Sequence, residues 1–414
     1  MSNIRDLSLA KTGERRLQWA IDYMPLLHEL ERQTSIKKPL RGKKISVCVH
    51  LEAKTARLCL MLAAAGAQLS VTGSNPLSTR DDICAALVQR GLEVNAWYGA
   101  TDAEYKQHLI QTLAFGPDII IDDGGDFLEL LHGDLSHLAP AILGGCEETT
   151  TGVTRMKARA REGCLSFPMI AVNDADCKHL FDNRFGTGQS VFDAIMRTTN
   201  LVIPGKTIVV AGFGFCGTGV AEKARALGAQ VIVTEVNPVR AIEAAMLGYR
   251  VMTMDDAAAL GDIFITVTGC IDVITARHMK KMKHGAILCN AGHFDTEINK
   301  PDLASLAVKS SLLRPDVTGY KMADSRTLCL ISEGRLVNIC AGDGHPVEIM
   351  DMSFAVQALC VLYINENNAH LKPVVYDVPR EVDRYVAALK LDTMGIYIDE
   401  HTPQQAAYMQ GYEV

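Results

Sequence analysis

What this 414-residue sequence lacks narrows its class before any motif is read. Its opening, "MSNIRDLSLAKTGERRLQWAIDYMPLL", is charged throughout and lacks the apolar core of a secretory signal. No apolar run reaches the length of a membrane span, and "LCLMLAAAGAQL" and "FAVQALCVLYI" read as buried helices. The twelve cysteines show neither C-x-x-C nor zinc-like clustering. A reduced, cytoplasmic setting is therefore expected, with no disulfide framework and no metal site. There is no basic surplus: the net charge is -7, which gives no reason to expect nucleic acid or a membrane surface as partner. Internal repeats and low-complexity linkers are absent too. What remains is an ordinary soluble composition, 48% hydrophobic and 21% charged, with length for roughly two or three domains.

From about Lys44 apolar runs alternate with helical patterns. "KISVCVH", "QLSVTGS", "EVNAWYG" and "DIIIDDGG" read as strands, and "TARLCLMLAAAGA", "TRDDICAALVQRG" and "DAEYKQHLIQTLAF" as the helices between them. That alternation predicts a parallel sheet covered on both faces. Polar residues gather just after the strands: His50, Asp123 with Asp126, and Glu148 with Thr149, Thr150 and Thr151. Each alone reads as a cap or turn residue. Together they lie where open α/β sheets bind ligands, outside the carboxyl ends of the strands.

A second α/β unit follows. Gly212, Gly214 and Gly217 form G-x-G-x-x-G, with Phe215 and Cys216 in the variable positions, between the strand "TIVVA" and a helix. Glu235 closes the next strand about 20 residues on, where an acid holds a ribose 2'-hydroxyl. A lone glycine fingerprint is weak, but this strand, helix and acid context points to NAD rather than NADP. After this unit "GDGHPVEIMDMSFAVQALCVLYINEN" predicts a helix with no strand after it, crossing back onto the first unit. The expected fold class is α/β with two doubly wound, Rossmann-like parallel sheets. The substrate domain is discontinuous (1–187 and 343–390), the NAD domain (188–342) is inserted in it, and 391–414 form a short tail.

"AVNDADCKHLFDNRFGTGQS", "EETTTG", "DDGGD", "TVTGCIDV", "NAGHFDTEI" and "EGRLVN...GDGHP" stand in order around that nucleotide fold. The chain from about Pro25 onward resembles the S-adenosylhomocysteine hydrolase family. The resemblance implies reversible cleavage of the thioether of a purine nucleosidyl-homocysteine to nucleoside and homocysteine, in the methyl cycle. It implies tightly bound NAD that oxidises the 3'-hydroxyl, so that the C4' proton becomes acidic, homocysteine is eliminated and water adds. It also implies a homotetramer.

The same resemblance distributes the roles. Lys178 and Asp182, four apart and so on one helical face, hold the 3'-hydroxyl, with Lys178 drawing off its proton; a lysine does this only when its pKa is depressed. His50 and Asp123 handle the C4' proton, leaving group and water, in an order the sequence leaves open. Glu148 and Thr149 meet ribose and cofactor, Asn183 serves chemistry and NAD, and His293 with Phe294 gates the channel. Asn338 and His345 face nicotinamide and substrate. Thr268, Asn290 and Arg240 belong to the NAD pocket, and Glu52, Lys54, Thr55 and Asp343 to the substrate site.

Two departures stand out. The tail stops before the lysine and tyrosine with which long-tailed members reach a neighbour's NAD, so weaker cofactor retention is expected. "HLEAKT" replaces H-M-T-x-E-T, which is similar to a branch common in archaea and some thermophilic bacteria. Lys54 can only donate, which favours the carbonyl of hypoxanthine over the amino group of adenine; the alternative is that it turns toward Glu52. Two rival readings remain, an NAD-dependent dehydrogenase with net redox turnover and a catalytically silent NAD-binding regulator.

Overall fold

The computed structural model describes residues 2–411; the last three residues of the expected tail lie outside them. The first seven strands are β1 (Asn3–Ile4), β2 (Lys44–Cys48), β3 (Gln68–Thr72), β4 (Glu93–Ala96), β5 (Ile119–Asp122), β6 (Gly144–Glu147) and β7 (Met169–Ala171). Eight more follow: β8 (Thr207–Ala211), β9 (Gln230–Thr234), β10 (Arg250–Val251), β11 (Ile263–Thr266), β12 (Ile287–Asn290), β13 (Ala307–Arg314), β14 (Val317–Met322) and β15 (Thr327–Ile331). The last, β16, is Val375–Asp377.

They build two eight-stranded sheets, ordered β1-β4-β3-β2-β5-β6-β7-β16 and β10-β9-β8-β11-β12-β15-β14-β13. The first is parallel throughout. Its central strands are short, β-branched and buried on both faces, so each needs helices above and below. The second sheet carries its own two cores in the same way.

In the central parallel run of each sheet the strand order reverses, between β2 and β5 and between β8 and β11. Loops leaving adjacent strands there run to opposite faces and open a crevice. His50 follows β2 and Asp123 follows β5, so the reversal makes neighbours of residues far apart in sequence. The glycine-rich turn after β8 and Thr268 after β11 meet in the same way.

The structure differs from the sequence reading in three places. The second sheet is not parallel to its edge: β13, β14 and β15 are antiparallel. β13 is mostly exposed and so has no buried apolar run to mark it. A strand does follow the returning helix, since β16 pairs with β7; at three residues it has no periodicity to read. The helix itself, Val347–Asn367, is long and apolar enough to cross a membrane by length and composition, but 72% of its most apolar window is buried in the protein.

That helix threads the first core and carries Asp351, whose carboxylate accepts from Leu26 N (2.9 Å) and Leu27 N (3.0 Å) at the start of helix Pro25–Thr34. It thus caps a helix more than 300 residues away in sequence, and burial pushes its pKa up to about 6. Asp351→Ala strands two buried N–H groups. It is expected to cost about 2–3 kcal/mol, read as a lowered melting temperature at constant NAD.

Candidate active site

A cleft of about 1330 Å³ lies where the two sheets' carboxyl edges face each other. One wall comes from residues 176–186, where a single α-turn passes into a π-helix, His179–Gly186. Widening the turn puts residues five apart, not only four, on one face. Lys178 Nζ accordingly donates to Asn183 Oδ1 (2.8 Å), while lying 3.3 Å from Asp182 and 3.4 Å from Glu148 Oε1. Asn183 passes the link on to Asn173. Asp182 is the hub: one oxygen pairs with His345 Nδ1 (2.5 Å) and the other accepts from Ser353 Oγ (2.7 Å). His345 Nε2 in turn lies 3.3 Å from Thr187 Oγ1.

The charges here are not those expected. Burial alone pulls the Lys178 pKa down, but Asp182 and Glu148 more than reverse this, and the net shift is upward. Lys178 is therefore an ammonium, not the depressed base that the sequence reading required. Burial instead pushes Glu148 up to about 7 against the pull of Lys178. Glu148 Oε2 accepts from Gln357 Nε2 (2.6 Å), whereas Oε1 is buried with no hydrogen-bond partner. Asn338 Oδ1 is orphaned likewise, its amide nitrogen being held by Ser190. Both residues line the cleft, and buried polar atoms without partners there suit a polyhydroxyl ligand.

The other wall holds His50, Asp123 and His293, whose ligand atoms lie within 4.8 Å of one another. Asp123 Oδ2 accepts from Ser74 Oγ (2.8 Å) and sits 3.7 Å from His50 Nε2. Burial would raise its pKa, yet His50, His293 and Ser74 outweigh this and keep it a carboxylate. Burial also lowers the pKa of His50, against Asp123, so the imidazole is neutral. Its tautomer follows from Ser78. That hydroxyl has one proton and donates it to the Asn75 carbonyl at 2.9 Å, so Ser78 Oγ is placed to accept a hydrogen bond from His50 Nδ1–H at 2.7 Å. Nε2 is left with a free lone pair. His293 packs on Gly124, where an added Cβ would come within 2.3 Å of Nε2; Phe294, half-exposed, stands beside it.

The glycine turn fits a dinucleotide. An added Cβ on Gly217 would reach 2.0 Å from the Gly212 carbonyl, so this glycine packs inward, while Gly214 has open space before it. Gly212, Gly214, Phe215 and Cys216 line the cleft with Thr149, Thr150 and Thr151. Glu235 also lines it, its carboxylate fixed by Phe213 N, Val236 N and Asn237 N at 2.7–2.9 Å. Thr268 is held by Glu297, a buried acid that accepts from Thr268 N, Thr268 Oγ1 and Gly269 N.

At the far end Lys54 Nζ donates to the Asp343 carbonyl (2.8 Å) and pairs with Glu52 (3.1 Å), and all three residues line the cleft. Thr55 Oγ1 is committed to the His50 carbonyl.

Three expected contacts are not made by the side chains named for them. Arg240 pairs with Glu243 and stacks on Phe215 outside the cleft lining. Asn290 is buried and donates to the Gly292 and Phe294 carbonyls, so it shapes the loop carrying His293 instead of meeting a ligand. The Asp343 carboxylate is fully exposed, and only the main chain of that residue serves Lys54.

Supporting residues escaped the sequence reading altogether: Ser74, Ser78, Glu297, Ser353, Gln357, and two buried acids behind the wall. Glu147 accepts from Gly124 N, Thr149 N and Thr149 Oγ1, and Asp122 from Leu128 N. Burial drives Glu147 far upward and Asp122 up to about 7.

With this geometry in view, the comparisons are decisive. Residues 1–139 match the family description "S-adenosyl-L-homocysteine hydrolase", and residues 183–344 its "NAD binding domain". The chain belongs to the S-adenosyl-L-homocysteine hydrolase family. It is 53% identical to the S-inosyl-L-homocysteine hydrolase of Methanocaldococcus jannaschii, over 100% of this chain and 99% of that one. It is 52% identical to the adenosylhomocysteinase of Thermococcus kodakarensis, over 99% and 97%. With the adenosylhomocysteinase of Aquifex aeolicus the identity is 50%, over 100% and 99%. The protein is thus an enzyme of thioether hydrolysis with NAD as cofactor and a small-molecule substrate, and neither a net dehydrogenase nor a silent regulator.

The raised pKa of Glu148 has a thermodynamic sign. A carboxyl whose pKa climbs from 4.5 to about 7 on folding adds stability that is complete below pH 4.5 and lost as pH rises through about 7. Glu148→Gln is therefore expected to flatten the decline in melting temperature of the unliganded hydrolase between about pH 5 and 8. A parallel decline in parent and variant would show that Glu148 does not titrate there.

Proposed function

We propose that this hydrolase acts on S-inosyl-L-homocysteine in preference to the adenosyl compound, with the proton transfers divided between the two walls of its cleft. NAD, when bound on the glycine turn, supplies reversible oxidation of the nucleoside at C3'. Lys178 and Asp182 hold the 3'-hydroxyl. Because Lys178 is cationic, it donates to the 3'-oxygen, and Glu148, its neighbour at 3.4 Å with a pKa raised to about 7, takes the hydroxyl proton as C3' is oxidised. The orphaned Glu148 Oε1 accepts a ribose hydroxyl. His50 removes the C4' proton through Nε2, Asp123 steadies the imidazolium that forms, and that imidazolium returns the proton to the departing thiolate. His293 and Phe294 close the channel and exclude water. The observation that carries this division is the 2.7 Å contact of His50 Nδ1 with a Ser78 hydroxyl already donating to the Asn75 carbonyl, which leaves Nε2 as the ring nitrogen on the side of Asp123.

The purine assignment rests on Lys54. Two of its three N–H bonds go to Asp343 and Glu52, and the third remains to meet a carbonyl at the purine 6-position as a charge-assisted bond. Glu52 favours the second reading, since it lines the same end and could accept from an amino group. The names of the relatives divide between the two substrates at nearly equal identity. We further infer a cytoplasmic homo-oligomer, a tetramer on the family's pattern, supported by the exposed Val239, Ile242 and Met246 along one face of helix Pro238–Met246; light scattering on the purified protein tests it.

Two experiments test the reading. Lys178→Ala, mixed with excess nucleoside, is expected to form no bound NADH by absorbance where the parent does; equal formation removes Lys178 from the mechanism. The ratio of kcat/KM for S-inosyl- over S-adenosylhomocysteine is expected to exceed one in the parent and to fall about ten- to hundredfold in Lys54→Glu. An unmoved ratio means that Lys54 does not read the purine.

A further inference from the structure

The reaction needs more of the cleft than the nucleoside occupies. The thiol that leaves or enters is the side chain of an amino acid, and its α-carboxylate has to be recognised somewhere beyond the catalytic imidazoles. That carboxylate lies four bonds from the sulfur, about 5 Å when extended.

Six cationic side chains line the cleft. Lys178 is enclosed by Asp182 and Glu148, and Lys54 is engaged by Glu52 and Asp343. Arg16 lies 3.3 Å from Asp82, Arg80 donates to the Gly342 carbonyl, and Arg277 lies 3.2 Å from Asp255. Arg155 differs in place and in reserve. It rises from helix Thr150–Arg161, the helix that Thr149 caps, and its Nη1 donates to the Gly124 carbonyl at 3.0 Å. Gly124 is also the residue against which His293 Nε2 packs, so the guanidinium and the His293 imidazole share this glycine as a neighbour. Its carbon lies 4.9 Å from the Phe294 ring centroid, which holds the plane of the fork in one orientation. Its acidic neighbour Asp126 is 3.6 Å away and is shared with the Tyr105 hydroxyl, which donates at 2.7 Å. The side chain is 40% exposed, and among the described residues Nε and Nη2 carry no hydrogen bond.

We propose that Arg155 binds the α-carboxylate of the homocysteinyl group through its unused Nε and Nη2, and so selects an amino-acid thiol over a simple one. A planar fork with two parallel donors matches a carboxylate. The stack on Phe294 links this recognition to the gate. A carboxylate on Arg155 strengthens the element against which the gate residue rests, so the channel closes over the correct thiol. The assignment rests on the family reaction and adds to it the residue that reads the amino-acid end.

The test runs the reaction in the synthetic direction, nucleoside plus thiol giving thioether plus water, in NAD-loaded enzyme. It compares L-homocysteine with 3-aminopropane-1-thiol, the same molecule without its carboxylate. The parent is expected to favour homocysteine by about ten- to hundredfold in kcat/KM. Arg155→Met brings the ratio toward one through a raised KM for homocysteine. Arg155→Lys, which keeps the charge and loses the fork, retains part of it and serves if the methionine variant folds poorly. Phe294→Leu removes the stack that orients the fork and is expected to lower the discrimination, but less than Arg155→Met does. The proposal is overturned if Arg155→Met slows both thiols equally, which would make the arginine a prop for the gate alone, or if the parent does not discriminate. Failure of the parent to make thioether from either thiol would instead count against the family reaction.

Discussion

The cleft depends on one carboxylate. Asp182 is 2% exposed and is shared by Lys178, His345 and Ser353. These partners come from three parts of the chain: the π-helix wall, the loop returning from the NAD domain, and the long helix of the first core. A buried carboxylate is tolerable only with such compensation, because removing it from water costs several kcal/mol that poor geometry does not return. Its pKa is held far down, Lys178 and the His345 contact outweighing a large burial effect. The carboxylate proposed to position the 3' end of the substrate therefore also ties together the three segments that meet at the cleft.

The rest of the site is arranged to limit charge. Lys178 and Asp182 cancel, Glu148 is poised near neutrality, and His50 is neutral beside an ionised Asp123. Behind them Glu147, which burial drives toward its neutral form, organises Gly124 and Thr149 by accepting their N–H groups. The two walls thus differ in kind: one sets a buried ammonium between two carboxyl groups, and the other an imidazole beside a carboxylate.

Much of this was legible in the sequence, for a physical reason. Strands and their carboxyl-end residues are local, so His50, Asp123, Glu148 and the glycine turn could be read from alternation and turn chemistry alone. Topology then brought them together at the two points of strand-order reversal. What stayed hidden is what is set at long range. Ser78 determines the His50 tautomer, Glu297 fixes Thr268, and Gln357 reaches Glu148 from 209 residues away. The π-turn was hidden as well: a four-residue spacing is read as one helical face, while the five-residue contact of Lys178 with Asn183 exists only once the helix widens. The lysine's charge failed for a related reason, since its sign depends on two acids and only one of them is nearby in sequence.

The insertion of one domain within the other has a consequence for synthesis. The first core draws on residues from Leu17 to Val386, and β16 pairs with β7 only after some 200 intervening residues have been made. On a ribosome adding about 5–20 residues per second, the NAD domain is complete and free to fold while its host is still unfinished. For roughly ten seconds or so the host's half-built sheet lacks both its covering helix and an edge. The nascent chain therefore carries a folded insert on an exposed apolar surface, and a chaperone that shields that surface has its window there, before residue 347 emerges.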